Sequence, residues 1–186
     1  MDRERMEAVV REFLAAIGDD PDREGLRDTP RRVVNSWREL FAGYQQDPAT
    51  VCTTFDECYD QMVVLKGFEF YSFCEHHVLP FWGTMSVGYI PRDKILGLSK
   101  LARVSEMFAR RLQLQERLGH QIAEAIENLI HPLGVGVVIR ARHLCVCARG
   151  VGKQHGAMVT SVLRGRLRDD DKARKEFLDL CAGGGE

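Results

Sequence analysis

No stretch of the chain approaches the run of about 18 apolar residues that a membrane-spanning helix needs. The first residues, Met1-Asp2-Arg3-Glu4-Arg5, carry no apolar segment of the kind that directs export. These absences predict a cytoplasmic protein with no membrane partner. An excess of charge of either sign is also lacking: 26 Lys and Arg stand against 27 Asp and Glu. Net charge therefore gives no reason to bind nucleic acid, and any anion site must be local. There is no internal repeat and no low-complexity tract, which excludes repeat architectures. Cysteine is sparse: Cys52, Cys58, Cys74, Cys145, Cys147 and Cys181 are the only six. In a reducing compartment these are ligands or buried hydrophobes rather than a disulfide framework.

What is present suffices for a core. With 45% hydrophobic residues in 186, one domain with an appended segment needs no covalent staples. Met6, Val9, Val10, Phe13, Leu14 and Ile17 recur at helical spacing, and Gly18-Asp19-Asp20-Pro21 stops them. Thr29 before Pro30 reads as the cap and first turn of a second helix, with Val33, Trp37, Leu40 and Phe41 as its apolar stripe, ending near Gly43. Residues 45–59 have no period and read as a linker, so the division predicted is 1–59, helical segment and linker, and 60–186, main body. In the main body, β-branched and aromatic residues over 62–73 and the alternation at Met85, Val87 and Tyr89 predict two strands. Helices follow over 99–112 and 114–130, then strands over 135–141 and 158–167, then a charged helix over 169–180; Gly183-Gly184-Gly185 reads as frayed. The plan is α+β, an antiparallel four-stranded sheet with two helices on one face. Its other face needs a cover, for which further subunits are the natural candidates.

Cys74 and His77 are spaced so that one tight turn aims a thiolate and an imidazole at the same ion; a buried Cys beside a solvated His is the competing account. Val135, Val137, Ile139, Ala141, His143, Cys145, Cys147 and Arg149 share one parity, so a strand running on to Arg149 would feed His143, Cys145 and Arg149 into one pocket. Inert core thiols at Cys145 and Cys147 are the alternative. Three ligands, Cys74, His77 and Cys145, leave a fourth tetrahedral position for water, the pattern of a catalytic zinc site; Cys147 or His76 could instead close it. Mixed thiolate and imidazole donors favour Zn2+.

Ser99 is a good N-cap, yet Lys100 and Arg103 then occupy a first helical turn, where the helix dipole disfavours cations. Together they suit a phosphate chain, against the commoner account of a solvated basic face. Glu116, next to Gln115, suits its own helix start, and a buried carboxylate there could also accept two N–H donors from a guanine edge.

Four segments in order, Cys74-Glu75-His76-His77, Gly97-Leu98-Ser99-Lys100-Leu101-Ala102-Arg103, Gln113-Leu114-Gln115-Glu116-Arg117-Leu118 and His143-Leu144-Cys145-Val146-Cys147-Ala148-Arg149-Gly150, together resemble the GTP cyclohydrolase I family. The likeness runs from Thr29-Pro30-Arg31-Arg32 to Glu176-Phe177-Leu178. It implies a tunnelling fold assembled into a ring-like homodecamer, and conversion of GTP and water to 7,8-dihydroneopterin triphosphate and formate, the first step of pterin and tetrahydrofolate synthesis. Carried over by position, Cys74, His77 and Cys145 hold zinc. Glu116 reads the guanine with main-chain groups of Leu114 and Gln115. Ser99, Lys100, Arg103 and Arg149 hold the triphosphate, with Arg32 entering from a neighbouring subunit. Zinc-bound hydroxide attacks C8, His143 protonates N7 and His76 assists proton transfer; no redox or organic cofactor is implied. One departure is that Gly156 and Met158 stand where the family commonly has hydroxyls. Two other functions share these motifs: a paralogue that opens the purine but diverts the intermediate, and a nucleotide-binding protein with structural zinc.

Overall fold

The computed structural model describes residues 2–57 and 59–182; Cys58 and Gly183-Gly184-Gly185 lie outside the described residues. The chain divides into two compact units, 1–42 and 43–186. The first is a helical pair, α1 (Arg3–Ala16) and α2 (Thr29–Leu40). Asp2 caps α1 by accepting from the backbone N–H of Arg5. In α2 the cap position is Asp28 rather than Thr29, and the Asp28 carboxylate faces Arg31 and Arg32 instead of the helix backbone. Val10, Leu14 and Val34 form the buried seam, joined by Met6, Leu26, Val33 and Trp37.

In the second unit the aperiodic stretch is not a structureless linker. It forms a short helix, α3 (Pro48–Val51), and a strand, β1 (Thr54–Asp56). The main sheet follows with β2 (Val63–Cys74) and β3 (Pro80–Ile90), antiparallel, with a register shift between Leu65 and Phe68. Gly67 takes a positive φ of 67° at that bulge, and its N–H donates to Ser86 Oγ. β4 (Lys94–Leu96) pairs with β1. Then come α4 (Leu98–Ala109), the two-residue β5 (Leu112–Gln113), α5 (Gln115–Ile130) and β6 (Gly134–His143). A helical turn, α6 (Leu144–Cys147), leads to β7 (Met158–Gly165), a second turn, α7 (Arg166–Asp169), and α8 (Asp171–Ala182). The sheet order is β5-β2-β3-β6-β7. Its four long strands are antiparallel, as the sequence pattern predicts, and β5 adds a short parallel edge beside β2.

Period two sends Val135, Val137, Ile139 and Ala141 of β6, and Phe81, Met85, Val87 and Tyr89 of β3, to one face. There they join Leu101, Val104 and Phe108 of α4 and Leu118, Ile122 and Ile126 of α5 in the principal core. Part of the second face is covered by the chain itself. Phe177 of α8 is fully buried with Ile90, Val138 and Leu167, and it lies over Gly136 and Gly88, which are cross-strand partners. Farther along the same face Tyr71, Trp82 and Arg142 pair across three strands, with Tyr71 and Arg142 exposed. No helix among the described residues is long and apolar enough to cross a membrane.

Candidate metal and nucleotide site

Cys74 is the last residue of β2, and the chain reverses at once: its N–H donates to Leu79 O and its carbonyl accepts from Val78 N–H. That turn brings His77 Nδ1 to 3.9 Å from Cys74 Sγ. The third donor arrives from the opposite end of the sequence. β6 stops at His143 instead of running on to Arg149, and α6 turns Cys145 back towards Cys74. Parity thus selects Cys145 for a reason that the local geometry does not support. One donor atom each from Cys74, His77 and Cys145 lies within 4.8 Å of the others, and among the described residues this is the cluster with metal-binding spacing. His76 and Cys147 are outside it; the His76 ring stands edge-on to His77, 6.3 Å away. The five described cysteines are all free thiols.

The donor set fits a thiophilic divalent cation. Burial pushes the Cys145 thiol up from its ordinary value, and the adjoining Cys74 sulfur raises it further, against a smaller opposing effect of Arg149. A divalent cation between the two sulfurs would reverse that cost by favouring both thiolates. Cys74 is buried, Cys145 half-buried and His77 exposed, so the cluster opens to solvent on the histidine side.

His143 closes β6 beside this cluster. Its ring stacks on Phe81, centroids 4.5 Å apart and planes 2° from parallel, and Phe81 is itself held edge-on by Phe70. Burial pushes the His143 imidazole below its ordinary value, with Glu116 opposing the shift. His143 Nε2 lies 2.8 Å from Gln115 Oε1. Glu116, in the first turn of α5, is exposed rather than buried in this chain, and Leu114 occupies the cap position of that helix without a side-chain cap. No side chain of the cap residue takes up the first N–H groups of α5 beside Glu116.

Gly97, not Ser99, takes the cap position of α4, so Ser99 sits with Lys100 and Arg103 in and beside the first turn. Ser99 and Arg103 are exposed, and Arg149 is exposed just past α6. Arg32 lies on α2 in the first unit, 3.5 Å from Asp28. Three contacts carry no signal in the sequence: the Phe81 stack, the Gln115 side chain, and an ion pair of Arg117 with Glu75 that ties the metal hairpin to α5. Arg117 also donates to Gln113 Oε1, and Gln113 O accepts from Glu75 N–H.

A family model described as GTP cyclohydrolase I matches residues 6–182. The protein named GTP cyclohydrolase 1 of Wolinella succinogenes is 52% identical over 175 residues, which are 93% of this chain and 94% of that one. Its namesake in Acetivibrio thermocellus is 51% identical over 185 residues, covering 98% and 99%. Among solved structures, the archaeosine synthase QueF-Like in the apo form superposes with a TM-score of 0.46 at 20% identity, over 58% of this chain and 97% of that one. With the match spanning both the metal hairpin and the Cys145 turn, and with relatives of this identity over nearly their whole length, the chain belongs to the GTP cyclohydrolase I family of enzymes.

Proposed function

We propose that this enzyme converts GTP and water to 7,8-dihydroneopterin triphosphate and formate, with catalysis carried by residues 60–186. The observation that carries the proposal is the meeting of Cys74, His77 and Cys145 within 4.8 Å of one another, beside a histidine fixed by stacking and hydrogen bonding. When bound by these three residues, Zn2+ supplies Lewis acidity that brings the ionisation of water towards neutral pH. His143 holds the proton that passes to guanine N7 as the imidazole ring opens, and exposed His76 relays protons at the mouth of the site. Glu116 accepts N–H donors from the guanine edge, with the main chain of Leu114 and Gln115 beside it. Ser99, Lys100, Arg103 and Arg149 hold the triphosphate; Ser99, Arg103 and Arg149 are exposed and Lys100 is partly so. The ribose then opens, rearranges and recloses on the freed amine.

The assembled form we propose is a tunnelling-fold ring, a homodecamer in which Arg32 serves a neighbouring subunit. In its support, β7 has an open edge in the single chain, with Val159 exposed. Part of the second sheet face also lies beyond the reach of α8.

Incubation of the zinc-loaded protein with GTP should release formate and 7,8-dihydroneopterin triphosphate in equal amounts, the latter read as the fluorescent pterin after oxidation with added iodine. Formate without pterin would make the chain a diverting paralogue, and GTP binding without formate would make it a binding protein. His143→Ala should retain GTP and fail to release formate; normal turnover would remove His143 from the proton path.

A further inference from the structure

The side-chain amide of Gln115 faces the ring of His143. Gln115 opens α5 and is 1% exposed. Its Nε2 lies 3.2 Å from Ile139 O, 3.1 Å from Met158 O and 3.1 Å from Thr160 Oγ1. Two of these three are main-chain carbonyls, which only accept, so the amide must turn its NH2 group to them. The reversed amide would set its oxygen against two carbonyl oxygens in a buried place, where an unsatisfied polar group costs most. The other end of the amide is therefore an oxygen, and it faces His143 Nε2 at 2.8 Å. An amide oxygen cannot donate, so Nε2 must. The ring cannot swing away from this contact without breaking its stack on Phe81.

We propose that the Gln115 side chain is a positioning residue that holds His143 as the Nε2–H tautomer, leaving Nδ1 as the unprotonated nitrogen of the neutral ring. The anchors come from β6 and β7, residues 24 to 45 positions away in sequence. The tautomer is thus set by the packing of α5 on the sheet. The effect of the tautomer on turnover rests on the proton path proposed above, whereas the tautomer itself does not.

Magic-angle-spinning 15N NMR of the full-length, zinc-loaded protein, labelled at its histidine nitrogens, reads the tautomer directly. His143 is identified by the resonance pair missing from His143→Asn. Protonated Nε2 with unprotonated Nδ1 is the expected result; the reverse, or an even mixture, overturns the inference. Gln115→Met removes the acceptor at similar volume and should give mixed tautomers, with kcat for formate release lower by roughly 10- to 100-fold, in the range of supporting-residue losses, and KM for GTP little changed. Unchanged tautomer and kcat in that variant would reduce Gln115 to packing and overturn the inference. The wild-type spectrum decides the tautomer whether or not Gln115→Met folds. A wrong tautomer with formate release intact sinks this inference alone, whereas absent formate with the Nε2–H tautomer sinks the proposed reaction alone.

Discussion

Val78 occupies φ 52°, a region in which a β-branched residue is strained. The metal hairpin imposes it, because Val78 N–H must reach Cys74 O while Leu79 O receives Cys74 N–H, and only so tight a reversal returns His77 to Cys74. The side chain is 49% exposed, so its replacement sacrifices little packing. Val78→Gly removes about 1–2 kcal/mol of left-handed strain and returns roughly 0.5–1 kcal/mol through greater freedom of the unfolded chain. The net expectation is a modest stabilisation, read as a higher urea midpoint at unchanged slope; a lower midpoint would mean that the valine contributes packing that outweighs its strain. At this scale the sequence makes Cys74 and His77 legible, because their spacing is local. Cys145 is legible only as a member of an alternating run whose end the alternation misplaces. The Gln115 amide and the Phe81 stack are invisible in the sequence, since one joins a helix start to the sheet and the other crosses two strands, in each case between residues far apart in number.

Gly136 and Gly88 face each other on β6 and β3, and a Cβ on Gly136 would lie 2.5 Å from Phe177 Cε1. The backbone of β6 cannot retreat, being paired on both sides. Gly136→Ala should therefore destabilise by about 1–3 kcal/mol, the usual cost of overpacking, and Phe177→Leu in the same chain should recover part of it. Additive losses in the double variant would show that the two positions do not contact. α8 is fixed at its start by Asp170, whose carboxylate accepts from the N–H groups of Lys172 and Ala173 and is held below the usual carboxylate range by them. A lowered pKa in the folded state contributes stability above the unfolded value near 4, and that contribution is lost as pH falls through the folded value. The melting deficit of Asp170→Ala should accordingly be present at pH 6 and shrink towards pH 3; a deficit independent of pH would assign it to something other than the charged cap. Period and capping make the long helices and strands legible. They give no warning of β1 and β4, three residues each, whose existence depends on pairing with each other across forty positions, nor of α8 as a cover for the second sheet face.

The principal core joins α4, α5 and the sheet through apolar side chains, and the metal donors stand at its margin: Cys74 is one of its buried members and Cys145 packs against it partly buried. A cation at that margin is not what holds α5 to the sheet, because Leu118, Ile122 and Ile126 are fully buried against β6 residues without it. For the zinc enzyme proposed above, removing the ion should therefore take away the stabilisation of a bound ligand and no more, about 4 kcal/mol for a free ion at a thousand times its dissociation constant. For a domain of this size that corresponds to a fall in Tm on the order of 10 °C. The chelated protein should keep its far-ultraviolet circular dichroism and the ring assembly proposed above, release no formate from GTP, and regain turnover when zinc is restored. Chelation that instead melts the helices and disperses the assembly would place the cation among the elements that define the fold, and the open, solvent-facing side of the Cys74, His77 and Cys145 cluster would then need a fourth protein ligand to close it.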